Sequence, residues 1–369
     1  MSETTSSPTA LGTEATIGGA PDPGDAAPRS VPWPRIVIGL VAAVVALALP
    51  FNYNPDTNVL FSQVLYIAIA AMGLNLLTGF NGQVSIGHGA FFGVGAFTTA
   101  ILVVDYGWMI ELTIPVAAVA AAVVGVVIGF PALRIKGLYL ALITLGLAVL
   151  FPVVTGRFVD GPGGVPLLQP SRSEVSSYFP SVLADDQYRY FVCLAILVVL
   201  LLGAHNLMRS RAGRAMIAVR DQEVAASTVG VNVAGVKVAS FAISAAYAGI
   251  AGSLSVMVDR VADASNPIIY FQYSIEFLIA VVIGGAATIT GPLLGAAFLV
   301  FVRRQSEGTE ALAPALLGGA LILVIYVMPS GFVGGYHRLK ARIQRPTRSG
   351  PSSDPPERGD PVTPDQTTT

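Results

Sequence analysis

Charge, lysine and cysteine are scarce in this 369-residue chain. Charged side chains make up 12% of it and hydrophobic ones 53%, against about 25% charged residues in an ordinary soluble domain. So little charge cannot cover a water-facing surface without broad apolar patches. That excludes a soluble globular protein and makes lipid the solvent for most of the chain. Lysine occurs only at Lys136, Lys237 and Lys340, and none follows a glycine. A Gly-Lys-Ser/Thr phosphate loop is therefore absent, and the chain is not its own P-loop ATPase. His88, His205 and His337 are far apart and lack metal-ligand spacing, so no metal site is expected. No Ser/His/Asp set or other catalytic constellation stands out either. Cys193, the single cysteine, lies in an apolar run and excludes an intramolecular disulfide. A net charge of −1 offers no basic field for nucleic acid.

What is present is a series of apolar runs between two polar ends. Residues 1–34 and 333–369 are rich in Ser, Thr, Pro, Gly and charge, and read as a disordered N-terminal tail and a basic, then disordered, C-terminal tail. The body is 35–332. The first apolar run follows Arg29 and Arg35 and contains Ala46-Leu47-Ala48, which resembles a secretory signal. With so many runs behind it, an uncleaved first helix is the simpler reading. A helix crossing the hydrocarbon needs about 20 mostly apolar residues. Runs that suit lie near 36–52, 58–78, 84–104, 112–130, 138–155, 188–208, 237–258, 274–287, 291–303 and 311–329. The sequence thus predicts an all-α polytopic membrane protein with about ten transmembrane helices, some short or broken. The runs at 274–287 and 291–303 read either as two short spans or as one span with a re-entrant hairpin.

Positive charge sets the orientation. With a cytoplasmic N-terminus, ten spans put Arg134, Lys136, Arg209, Arg211, Arg214, Arg220 and the C-terminal tail inside. The loop of about 157–187, with Asp160, Glu174, Asp185 and Asp186, falls outside. Arg303 and Arg304 break the pattern, with Glu307 and Glu310 close by to compensate them. Small residues four apart, at Gly89 and Gly93, Ala245 and Gly249, and Gly291 and Gly295, predict close helix crossings.

Polar chemistry concentrates in two stretches. Leu74 to Ala96, LNLLTGFNGQVSIGHGAFFGVGA, places Asn75, Asn81, Gln83, Ser85 and His88 among glycines. The residues leave two readings open: a broken helix exposing polar groups to a substrate, or a tight turn at Asn81-Gly82. His88 has no second His or carboxylate beside it, so a hydrogen-bonded structural role competes with proton carriage. The second stretch, Met208 to Lys237, has four arginines, then Asp221 and Glu223, then small residues to Gly230. It reads either as a solvated loop obeying the positive-inside rule, or as a short amphipathic helix that docks into a soluble partner.

Five segments together resemble a known family: LNLLTGFNGQVSIGHGAFFGVGA (74–96), LRIKGLYLALITLG (133–146), GRAMIAVRDQEVAASTVGV (213–231), AGIAGSL (248–254) and GGAATITGPLLGA (284–296). They are similar to the LivM-type permease of branched-chain amino acid ABC transporters, and the run at 133–146 favours that subunit over its LivH-type partner. The coupling loop of ABC-importer permeases carries Glu-Ala-Ala, three residues, then Gly. Here Val224-Ala225-Ala226 leads to Gly230, with Glu223 one position before the motif's glutamate. The outer-loop Thr-Gly-Gly of the family is interrupted after Thr155-Gly156 by Arg157, and family members tend to carry glycine where Ala287 stands.

The resemblance implies a permease subunit in the inner (plasma) membrane of a prokaryote, multi-pass, with both termini cytoplasmic. Its expected partners are a second permease of LivH type, two ABC ATPases holding ATP and Mg, an extracytoplasmic solute-binding protein, and membrane lipid. No cofactor would be bound by this chain itself, and no catalytic residue is expected. Coupling to the ATPases falls, on this reading, to Arg214, Arg220, Asp221, Glu223, Ala225, Ala226 and Gly230 within 209–236. The translocation path falls to Asn75, Asn81, Gln83, Ser85, His88, Ser244, Ser274 and Glu276, the last of which reads also as a helix-start charge at the outer face. Branched-chain amino acids are the family's usual solute, with urea and short amides as relatives' cargoes. The competing class is a stand-alone secondary transporter or channel, which would need intramembrane carboxylates; Glu276 is the one candidate that the spans offer. A membrane-embedded enzyme is the third class.

Overall fold

The computed structural model describes residues 33–132, 137–159, 167–168, 184–266 and 268–305, with single positions at 318, 319, 322, 326 and 331. Most of the expected span at 311–329 and of both tails lies outside the described residues, as do Arg134, Lys136, Asp160, Glu174, Glu307 and Glu310. By internal packing the chain divides between Ala48 and Leu49. The first unit contributes most of helix α1 (Trp33–Asn52), an apolar helix with Pro50 near its end; all that follows concerns residues 49–369.

There the helices run α2 (Pro55–Asn75), α3 (His88–Val104), α4 (Ile110–Ala132), α5 (Leu138–Phe158), α6 (Asp185–Arg209), α7 (Arg211–Asp221), α8 (Glu223–Thr228), α9 (Val233–Asp259), α10 (Ile269–Gly284) and α11 (Gly291–Gln305). α2 continues into a π-helical turn, Leu76–Phe80. Two-residue strands β1 (Leu167–Leu168) and β2 (Ala262–Asp263) pair antiparallel. Pro55–Phe80, Ile110–Pro131, Tyr139–Phe158, Asp185–Arg209 and Val233–Asp259 are each long and apolar enough to cross a bilayer, and His88–Val104 and Ile269–Gly284 are shorter apolar helices. The chain is a helical membrane protein.

Several boundaries differ from those that hydropathy predicts. α2 begins at Pro55 rather than 58, because a proline at its start needs no donor, and the Asn58 amide nitrogen is held by protein, donating to the Pro50 carbonyl at 3.0 Å and to Asp186 Oδ2 at 2.7 Å. The run read as 84–104 becomes helical only at His88. α10 begins at Ile269, earlier than 274, and stops at Gly284.

The helices alternate between two ends. At one, Asp185 meets Arg189 and Arg260, Tyr188 donates to Glu111 Oε1 at 2.7 Å, and Arg189 donates to the Val258 carbonyl at 3.0 Å. At the other gather the π turn, residues 81–87, the start of α5, and α7 with α8. α9 is the most enclosed helix, facing α2, α3 and α4. The expected small-residue crossings are present. A side chain at Gly249 would strike Ala121 Cβ and the Ala117 carbonyl of α4. One at Gly89 would strike Tyr270 and Ser274 of α10, and one at Gly295 the Ala280 backbone of α10. In lipid such close backbone approach is what holds helices together.

Candidate functional site

The 74–96 stretch contains both a helix break and a tight turn. α2 is enclosed along its second half, its last turn widens into the π turn, and the chain then reverses at Asn81-Gly82, where Gly82 has φ +73°. Residues 83–87 run without helix until His88 restarts it. Thr144 of α5 holds this break in place: its Oγ1 accepts from the Ile86 N–H at 3.0 Å and donates to the Ala141 carbonyl at 3.0 Å.

The polar side chains of the stretch are buried, and many lack partners. Asn81 and Gln83 have neither amide nitrogen nor oxygen hydrogen-bonded, and Ser85 Oγ is unpartnered as well. His88 donates from Nε2 to the Ala70 carbonyl at 3.0 Å, leaving Nδ1 as a buried acceptor without a donor. Its ring lies edge-on to Phe91 and Phe277. Ser244 on α9 also has a buried, unpartnered Oγ. Gly73 leaves the space where α9 and the histidine approach α2: a Cβ there would lie 2.8 Å from the Ser244 carbonyl and 3.3 Å from His88 Nε2. Unpaired buried polar atoms cost about 1–3 kcal/mol each, so their concentration here marks a place where packing alone did not choose the residues.

Asn75 and Ser274, two other predicted path residues, are fully engaged. Asn75 accepts on Oδ1 from the Ala287 N–H at 2.9 Å and donates from Nδ2 to the Thr288 carbonyl at 2.7 Å, clamping the α10–α11 turn. Ser274 accepts from the Gly89 N–H and donates to the Tyr270 carbonyl, both at 2.8 Å. Glu276 sits midway along α10, largely enclosed, with Oε2 3.7 Å from an Arg303 guanidinium nitrogen. Arg303 therefore finds its counter-charge on α10.

The coupling candidates occupy α7, α8 and the corner after them. Ser210 caps α7 by accepting from the Gly213 N–H, and Asn232 Oδ1 caps α9 by accepting from the Gly235 N–H at 3.0 Å. Arg214 is exposed and donates to the Arg209 carbonyl at 3.0 Å. Arg220 pairs with its neighbour Asp221 at 2.9 Å and donates to the Gly79 carbonyl of the π turn at 3.1 Å. Glu223 pairs with Lys237 of α9 at 2.7 Å. Ala226 is buried, while Ala225 is exposed between the strongly exposed Val224 and Val229. Gly230 turns the chain at φ +85° with open space beside it. A cavity of about 200 Å³ joins the two stretches, lined by Asn81, Gln83, Arg220, Glu223 and Lys237 among others. The 74–96 stretch and the α7–α8 segment thus adjoin one another.

With this geometry in view, the family can be settled. The family described as branched-chain amino acid transport system / permease component matches residues 58–326. The chain belongs to that family. It is similar to the high-affinity branched-chain amino acid transport system permease protein LivM of Salmonella typhimurium, at 30% identity over 311 residues covering 79% of this chain and 73% of the relative. LivM of Escherichia coli aligns with the same identity and coverage. LivH of Escherichia coli is 25% identical over 293 residues, 72% of this chain and 91% of that protein. No solved structure matches.

In this LivM-type permease, three features of the site escape a reading of residue types. Lys237 reads as a stray positive charge at the edge of an apolar run, yet it is nearly buried against Glu223. Gly79 acts through its carbonyl, which no sequence pattern announces. Asp259, one residue beyond its apolar run, ends α9 and accepts from Gln63 Nε2 at 3.0 Å and Tyr66 OH at 2.8 Å, so Glu276, midway along α10 rather than at a helix start, is not the only carboxylate among the helices.

Proposed function

We propose that this chain is the transmembrane permease subunit of an ABC importer and moves branched-chain amino acids inward by alternating access. ATP is bound and hydrolysed with Mg by separate ATPase subunits, and this chain binds no cofactor itself. The observation that carries the reading is the joining of α7–α8 to the broken helix by Arg220 and Gly79, in a chain whose relatives are named as branched-chain amino acid permeases. A segment exposed at one end of a membrane bundle and bonded to its irregular polar centre is what an external motor needs.

On this reading about ten spans cross the inner membrane of a prokaryote, with both termini cytoplasmic. Tails occupy 1–34 and 333–369, and 209–236 is the cytoplasmic coupling loop. A LivH-type permease completes the pathway, a solute-binding protein delivers cargo at the end bearing Asp185 and Asp186, and two ATPases supply the motor, gripping the corner formed by exposed Val224, Ala225, Val229 and Gly230 with Ala226 packed beneath it. Arg214, Arg220, Asp221 and Glu223 set the register of that contact. Asn81, Gln83, Ser85, His88 and Ser244 line the path. Asn75, Ser274 and Glu276 shape it.

Reconstitution in lipid vesicles with these partners tests the reading: ATP-dependent leucine uptake is expected, and none from the chain alone. Uptake by the chain alone, driven by a proton or sodium gradient, favours the stand-alone transporter. Competition by urea or short amides against leucine identifies the solute class.

A further inference from the structure

We infer that Lys237 and Arg220 are the two anchors through which movement of α7–α8 enters the membrane bundle, and that Gly79 passes it on to the α10–α11 turn. This rests on the coupling reading above and names the route. Lys237 lies one turn into α9, and its ammonium contacts Glu223 Oε1, at the start of α8, at 2.7 Å. The lysine side chain is 10% exposed and the glutamate 31%. An ion pair screened from water this far is directional and resists sliding, unlike a fully solvated pair. α8 is thereby fixed to the helix that carries Ser244 into the polar centre.

The second anchor works on the π turn. Arg220 donates to the Gly79 carbonyl at 3.1 Å and packs its methylenes over Gly82, where a Cβ would lie 2.7 Å from Arg220 Cγ. Gly79 has no side chain because none fits: a Cβ there would meet the Asn75 amide and lie 2.5 Å from the Ala287 nitrogen. Asn75 in turn holds both Ala287 and Thr288. From Arg220 through Gly79 and Asn75 to Thr288 each step is a polar bond or a close contact, and Glu223 stands three residues after Arg220 at the start of the next helix. Lys237 is a positioning residue in this scheme: it touches neither solute nor nucleotide, and its work is to make α8 and α9 move as one body.

The test uses the complete importer in vesicles, reading leucine moved per ATP hydrolysed. Lys237→Met is expected to lower that ratio about tenfold, the scale of a lost coupling interaction, with the chain still present in the membrane at wild-type level. The charge exchange Lys237→Glu with Glu223→Lys is expected to restore most of it. A wild-type ratio in Lys237→Met, or an exchange variant as uncoupled as the single one, overturns the inference. A second variant, Glu223→Cys with Lys237→Cys, keeps the question open to measurement if the charge variants misfold. Joined by a bifunctional thiol reagent of matching reach, it is expected to keep transporting; arrest upon joining overturns the inference. Failure of the coupling reading itself looks different, because the wild-type importer would then show no ATP-dependent uptake.

Discussion

The side-chain oxygen of Asn75 accepts from the main-chain N–H of Ala287 at 2.9 Å, and Ala287 has φ +59°. A left-handed backbone costs a non-glycine residue about 1–2 kcal/mol. The asparagine holds the turn between α10 and α11 in a conformation that alanine adopts under strain.

Ala287→Gly is therefore expected to raise stability by about 1 kcal/mol, the cost of the left-handed alanine less the flexibility that glycine adds to the unfolded chain. Thermal unfolding in detergent reads this as a higher midpoint. A lower midpoint would show that no strain is stored there.

The α3–α9 crossing depends on absent side chains. A Cβ at Gly252 would meet the Phe92 carbonyl and lie 2.9 Å from the Ala96 nitrogen, whereas one at Gly146 on α5 meets nothing within 4 Å. Gly252→Leu is expected to abolish recovery of monodisperse protein, because the two backbones must part. Gly146→Leu is expected to purify like the wild type. Size-exclusion chromatography compares them, and equal yields would refute the crossing.

Sidedness can be read with single cysteines. The native Cys193 is buried, so a membrane-impermeant maleimide has little background. Tyr106→Cys, at a position exposed at the end bearing Asp185, is expected to react in intact cells, and Gln222→Cys, exposed at the other end, only after permeabilisation. The reverse result would invert the orientation and remove α7–α8 from any cytoplasmic motor.

Gly230→Trp places a large side chain where nothing in this chain stands in its way, at a backbone angle that favours glycine. Membrane insertion is expected to survive while ATP-dependent uptake falls by about tenfold or more through loss of the docked contact. Unchanged uptake would take the corner after α8 out of the coupling surface.

Apolar runs make the helices legible in the order of residues alone, because lipid demands long stretches without charge. Their ends are less so. Pro55, Asp56 and Thr57 look like loop to a hydropathy average, and become the first turn of α2 behind a proline that needs no donor, with the Asn58 amide nitrogen tied to Asp186 and the Pro50 carbonyl. The polar stretch around Asn81 stands out in the sequence, since buried amides and a histidine among glycines are rare in a span. Its connections do not. Arg220 bonds to a backbone carbonyl, Lys237 to a glutamate 14 residues earlier, and Asn75 to a turn 212 residues away. Such partners leave no periodicity and no motif, so only the folded chain reveals them.

α10 contains 16 residues, which at 1.5 Å per residue gives a rod of about 24 Å. The hydrocarbon layer is about 30 Å thick. Lipids bordering this helix must shorten or tilt to meet it, at a fraction of a kcal/mol for each ångström of mismatch. The permease therefore carries a built-in preference for thin bilayers on one flank, and acyl-chain length becomes a variable in its activity alongside nucleotide and solute.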